Sequence, residues 1–160
     1  MTDQQLKVTA AGENEIHAER WFDAPRDRVW QAFTDPDLIQ QWWGPSSTNT
    51  RIDKMEVKPG GAWRFVHSND DGSEDAFRGE YREINEPESI TWTFEWEGLP
   101  GHVSVETVTF TEQDGGTLVS TVTVFDSRED RDGMLSSGME KGMGESYDRL
   151  GELLARVASA

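Results

Sequence analysis

Chemistry in this chain could reside in three histidines, one acidic strand position and an unusual stock of large aromatic side chains. His67 follows Trp63 and Phe65 at alternate positions, so a strand would place all three on one face. A histidine among aromatics serves either as a hydrogen-bonded structural residue or as a base. His17 and His102 fall near strand ends and carry less weight. No two histidines and a carboxylate stand at a metal-ligand spacing, and without any cysteine, disulfides and thiolate metal sites are excluded. A Gly-x-Ser-x-Gly elbow, a phosphate-cradling loop and a dinucleotide fingerprint are all missing from the sequence. Gly142-x-Gly144 does not count, because it lies inside a helical pattern. No metal and no cofactor are expected, no catalytic residue is assigned, and a binding role is favoured over an enzymatic one.

Glu106 is the acidic position of most interest. If Val108 and Phe110 face inward, parity puts Ser104 and Glu106 on the same side. The alternative is that a sheet edge or a bulge turns Glu106 to solvent. A carboxylate inside a cavity needs a partner or stays protonated. Arg64, Arg78 and Arg82 are possible partners, although arginines within strands usually sit on the wet face.

Aromatic residues make up 10% of the chain and include seven tryptophans. Trp42 and Trp43 are adjacent, before Gly44-Pro45. Each such ring can bury about 150–250 Å², so some element must cover them, one in the core and one partly exposed toward a cavity mouth. Trp63, Phe65, Phe77, Trp92, Phe94 and Trp96 extend the group, which reads either as plain core or as the wall of a pocket. The case for a pocket comes from the C-terminal helix. Its Gly138, Gly142, Gly144 and Gly151 each cost about 1 kcal/mol relative to alanine. Met134, Met139 and Met143 add adaptable apolar surface. Gly142 shares an inward face with Met139 and Ser146 and is expected in a packed seam; Gly144 is expected to give mobility over a cavity. The candidate ligand-binding set is therefore Trp43, Trp63, Phe65, His67 and Phe77, then Trp92, Phe94, Trp96 and Glu106, with Met139, Met143 and Tyr147 from the helix.

The elements that must position these residues follow from periodicity. Residues 1–12 are polar and read as a flexible N-terminal segment or an edge extension. Glu15 to Phe22 alternates as a strand. Pro25 suits the first turn of a short helix ending at Thr34, with Asp23 as its possible cap. A second short helix runs from about Asp37 to Trp42 and stops at Gly44-Pro45. Six strands follow: Arg51 to Val57, Ala62 to Ser68, Asp75 to Ile84, Ser89 to Glu97, His102 to Thr111 and Thr117 to Phe125. Gly79 suggests a bulge or bend. One long helix from near Asp132 to about Ala158 closes the chain, with Leu135, Met139, Met143, Ser146 or Tyr147, Leu150, Leu154 and Val157 on one face. The expected architecture is α+β, a seven-stranded curved antiparallel sheet around a C-terminal helix, forming one domain over residues 13–160.

Composition narrows the partners. A net charge of −16, from 31 acidic and 15 basic residues, argues against nucleic acid and anionic membrane surfaces, both of which would repel it. It fits a solubilising surface, adaptation to high salt or a basic protein partner. No apolar run approaches the roughly 20 residues of a membrane span, and no signal-peptide pattern opens the chain. A cytoplasmic protein, monomeric or weakly dimeric, is expected.

The order strand, two short helices, six strands, long helix resembles the helix-grip fold of the START-like (SRPBCC) superfamily. The markers are Ala24-Pro25, Val29 to Thr34, Trp42-Trp43-Gly44-Pro45, Gly60-Gly61, Gly79-Glu80-Tyr81, Gly116-Thr117 and Gly144 to Leu150. In that order they resemble the Aha-type branch, named after the C-terminal domain of the activator of the heat-shock chaperone ATPase. The resemblance spans roughly residues 15–157. It implies the helix-grip fold, and three possible roles. The first is binding of an apolar or amphipathic small molecule between sheet and helix. The second is a chaperone-associated stress protein, and the third a cyclase- or dehydratase-like enzyme.

Overall fold

Period-two alternation dominates the middle of the chain, and there the polypeptide forms strands. The computed structural model describes residues 6–44 and 49–158, with side chains to residue 156. Residues 1–5, Pro45 and the Val157 side chain lie outside the described residues. The strands are β1 (Lys7–Ala11), β2 (Glu15–Phe22), β3 (Asn49–Met55), β4 (Ala62–Ser68), β5 (Glu74–Asn85), β6 (Ser89–Trp96), β7 (Ser104–Gln113) and β8 (Gly116–Val124). The helices are α1 (Arg26–Thr34), α2 (Pro36–Ile39), α3 (Arg128–Ser136) and α4 (Met139–Ala158).

Among the described residues eight strands form one antiparallel sheet in the order β1-β2-β8-β7-β6-β5-β4-β3. That is one more than the seven expected. β1 occupies part of the segment read as flexible, pairing from Lys7 opposite Glu19 to Ala11 opposite Glu15. It is an edge strand with little buried surface, held by its ladder to β2, so hydrophobic periodicity does not reveal it.

The concave face carries the core. Phe22, Phe65, Tyr81, Ile90, Val108, Phe110 and Val119 are all at most 2% exposed, and the helices cover them. On α1 the buried stripe is Val29, Trp30, Ala32 and Phe33; on α4 it is Tyr147, Leu150, Leu153 and Leu154. Asp23 does not cap α1. Pro25 itself occupies the N-cap, without a side-chain bond, as its fixed φ allows.

Trp42 is inserted deepest of the adjacent tryptophans. It is 2% exposed, its indole N–H donates to the Ala32 carbonyl at 2.9 Å, and its ring lies 4.7 Å from that of Phe33. Trp43 is half-buried and points the other way. Its ring meets Trp63, Phe65, His67 and Phe77 at centroid distances of 4.8–6.1 Å.

The single long C-terminal helix is in fact two. Gly138, at φ +89°, breaks it after Ser137, a conformation that costs glycine little and a side-chain-bearing residue much. α3 begins earlier than expected, at Arg128, because Ser127 accepts from the Asp130 amide at 3.1 Å and caps it. Buried Arg131 then ties α3 to the β1–β2 hairpin by donating to the carbonyls of Glu15 (3.0 Å) and Ala11 (3.3 Å).

Gly79 is a point of close approach. The Trp63 indole N–H crosses β5 there to reach the Thr93 carbonyl of β6 at 3.0 Å, and a Cβ at residue 79 would collide with both partners. The irregularity of β5 lies further along, where the β5–β6 register shifts between Tyr81 and Glu83, and a second shift falls between Ile52 and Lys54 in the β3–β4 ladder.

Two stability predictions follow from this packing. Trp42→Ala should cost about 3–5 kcal/mol in chemical denaturation; a loss under about 1 kcal/mol would show that the site does not anchor the core. The helix glycines should split. A Cβ at Gly144 meets nothing nearer than Leu6 Cδ2 at 4.0 Å, so Gly144→Ala should add about 0.4–1 kcal/mol. At Gly151 the Cβ would sit 3.3 Å from Arg20 Nη2, a guanidinium that bonds Asp148 and lies over Phe22. Gly151→Ala should therefore gain nothing or lose up to about 1 kcal/mol. A close helix–sheet contact stands at Gly151, and Gly142 borders the pocket described next.

Candidate functional site

A pocket of about 310 Å³ lies between the concave sheet, α3 and the first turns of α4. Its wall is built mostly of aromatic and thioether side chains. β4 contributes Trp63, Phe65 and His67, because strand parity puts alternate residues on the inner face. β5 and β6 add Phe77, Trp92 and Phe94, and Trp43 closes the near side from the loop after α2. Met134 of α3 and Met139, Met143 and Tyr147 of α4 form the roof.

Eleven of the twelve candidate residues named from sequence are thereby brought together. The exception is Trp96. It lies opposite Phe77 in the ladder, but β6 has run past the pocket by then, and the indole covers Gly98 of the following turn, 41% exposed.

Glu106 faces the pocket. Its Oε1 accepts from the Trp92 indole N–H at 2.8 Å and its Oε2 from the Thr123 hydroxyl at 3.2 Å. The side chain retains intermediate exposure, and that exposure opens onto the pocket it lines. Burial pushes its carboxyl above the ordinary range, with the bonds from Trp92 and Thr123 opposing the shift. The arginines named as possible partners are elsewhere. Arg64 binds Glu97 and Asp53, Arg78 binds Glu95 and Arg82 binds Glu80, all on the outer face. Tyr147 stays neutral, its phenol pushed up by burial and then by the charge of Glu106.

His67 stands at the opposite, aromatic side, between the rings of Trp43 (4.8 Å) and Phe77 (5.0 Å). It is 7% exposed, and its buried Nε2 has no hydrogen-bond partner. Burial pulls its pKa down from 6.5 to about 4, against the attraction of Asp75 and with the help of Arg149. Neutral imidazole is the species present near pH 7. The other histidines are remote and paired at the surface, His17 with Glu15 and His102 with Asp130. Among the described residues no group of three or more histidines and carboxylates is placed to hold a metal ion.

Several pocket residues escaped the sequence reading. Thr123 is the clearest, since it donates to Glu106. Parity with Val119 and Thr121 along β8 would have put it on the inner face, yet a threonine in a strand carries no signal of facing a cavity. Ile16, Phe33 and Phe125 join through the fold alone.

The depressed His67 pKa fixes a pH dependence. Between about pH 4 and 6.5 the unfolded chain binds the proton that the folded chain refuses, so folding stability rises with pH across that window. The contribution is complete above 6.5 and is lost as pH falls toward 4. In denaturant titrations from pH 7 to 4.5, His67→Phe should lose stability less steeply on acidification than the parent. Parallel profiles would show that His67 titrates normally.

The match to known proteins covers most of the chain. The family model for Activator of Hsp90 ATPase homolog 1-like proteins matches residues 23–155. Among solved structures, protein Ms6760 of Mycobacterium smegmatis is 27% identical, with a TM-score of 0.81 over 92% of this chain and 97% of its own. Protein CV1439 of Chromobacterium violaceum is 26% identical, with a TM-score of 0.79 over 88% and 96%. A Rhodobacter sphaeroides protein, at 22% identity, superposes with a TM-score of 0.87 over 95% and 99% and shares the fold. No functionally curated protein matches the sequence. No helix among the described residues is long and apolar enough to cross a membrane. With its α+β helix-grip architecture and this span of matching sequence, the chain belongs to the Activator of Hsp90 ATPase homolog 1-like family of the START-like superfamily.

Proposed function

We propose that this protein binds an apolar or amphipathic small molecule in the pocket between sheet and helix. The observation that carries the proposal is the pocket's construction. At about 310 Å³ it reaches the lower end of the 300–1,000 Å³ typical of ligand sites, and its aromatic walls hold a few polar groups with bonding capacity left. Packing alone favours filled interiors and satisfied polar atoms. Here His67, whose buried Nε2 lacks a partner, and Glu106, whose carboxyl has acceptor capacity left, both line unfilled space instead. The methionine roof adds surface that can repack around guests of different shape. Catalysis has less support. Glu106 bonds the Trp92 indole and the Thr123 hydroxyl rather than His67, and the buried Nε2 of His67 has no partner, so no base is relayed through the histidine.

Native mass spectrometry of protein purified from its own host is the direct test. A small mass retained in the folded protein and released on unfolding is expected. Bare protein, together with no thermal shift across a panel of apolar compounds, would remove the proposal. Trp43→Ala should weaken uptake of any compound found by about tenfold or more, since the ring contacts four pocket side chains, while costing less stability than Trp42→Ala.

A second reading, stimulation of a chaperone ATPase, draws on the family match. Adding the purified protein to the chaperone and finding an unchanged ATPase rate would remove it.

A further inference from the structure

The polar groups inside the pocket are unequal in sign. Among its described lining residues Glu106 can carry negative charge, while none is lysine or arginine. The nearest cations are already engaged outside the lining: Arg20, close enough to act on Tyr147, binds Asp148 at 2.7 Å, and Arg149, close enough to act on His67, donates to the Gly44 carbonyl at 3.2 Å. His67 is neutral near pH 7. A ligand carboxylate or phosphate would thus enter an apolar space with no counter-ion and with an acidic group ahead of it, an arrangement that costs heavily.

Glu106 has bonding capacity to spare. A carboxylate offers about four acceptor positions; the Trp92 indole occupies one on Oε1 and the Thr123 hydroxyl one on Oε2. An indole N–H can only donate, so the Trp92 bond keeps Oε1 in the accepting role. The rings of Trp63, Trp92 and Phe94 stand beside the same end of the pocket, and aromatic faces attract cations. The overall charge of −16 raises the local concentration of cations around the molecule.

Resting on the reading of the pocket as a ligand site, we propose that its ligand class is lipophilic amines, with the ammonium group bonded to Glu106 and the apolar body among the aromatic rings. Burial already weighs on the carboxyl in the folded protein, and a bound ammonium relieves it, while the carboxylate and the rings offset the desolvation of the ammonium. The proton balance is simple. If Glu106 is protonated beforehand, its proton leaves to solvent as the ammonium binds, and the complex holds one carboxylate and one ammonium.

The test compares three bicyclic probes of similar size: 2-(1-naphthyl)ethylamine, 2-(1-naphthyl)ethanol and 1-naphthylacetate. Calorimetry on the whole chain should rank the amine at least about tenfold above the alcohol, with the carboxylate weakest. Glu106→Gln should erase the preference of amine over alcohol. The indole N–H resonance of Trp92, identified with Trp92→Phe, should shift with the amine in the parent protein. If Glu106→Gln does not fold, the parent's ranking and the Trp92 resonance decide. Alcohol binding as tight as amine binding overturns the amine class and leaves the pocket reading intact. Failure of all three probes to bind overturns both.

Discussion

The structure depends on how Gly44 is held. Its amide donates to the Ser146 hydroxyl at 2.7 Å and its carbonyl accepts from Arg149 at 3.2 Å, so the segment after α2 is fastened to α4 at one residue. That attachment orients the two tryptophans before it. Trp42 goes down into the core, between α1 and α4, and Trp43 goes across the pocket toward β4. If the segment were free to rotate, one large ring would face water and the pocket would lose its near wall. The fastening is polar and buried, which gives it direction that hydrophobic contact lacks.

The two ends of the concave face are packed differently. Toward the Phe22 end, Leu150, Leu153 and Leu154 press α4 onto the sheet, and Gly151 lets the helix come within contact of Arg20 and Phe22. Toward the β4 end the helix is lined by methionines and the sheet by rings, and the two do not close on each other. The division follows from side-chain shape. Leucines interdigitate at interior density, whereas broad flat rings standing on a curved sheet leave space between their upper edges and a roof. Gly138 accentuates it by ending α3, so that α3 and α4 reach the mouth as separate elements.

Inside that space, electrostatics set the character of the site. Burial disfavours charge on each titratable group at once: it raises Glu106 and Tyr147 and lowers His67. The acidic surface is separated from this interior by the sheet, where arginines on the outer strands pair with neighbouring carboxylates and remain solvated. Solvated, paired charges on the outside and groups whose ionisation burial opposes on the inside therefore coexist in one thin layer.

Much of this was readable from the residues. Alternation located β2 and all six strands from β3 to β8, because one buried face imposes a period of two. The Trp42-Trp43 pair and the Gly144 to Leu150 segment stood out in sequence, and they meet through Gly44, Ser146 and Arg149. Parity alone assigned most of the pocket wall. Other features needed the folded chain. β1 is held by backbone pairing along an edge, which leaves no hydrophobic signature. Gly138 reads like the other helix glycines until its positive φ is seen. Parity could not tell whether Glu106 faces a cavity or solvent, since that depends on the bonds from Trp92 and Thr123 on neighbouring strands. It also could not tell that Trp96, in step with Phe77, lies beyond the pocket's edge. Local sequence determined which way each side chain points; only the tertiary structure decided what stands in front of it, because that depends on residues far away along the chain.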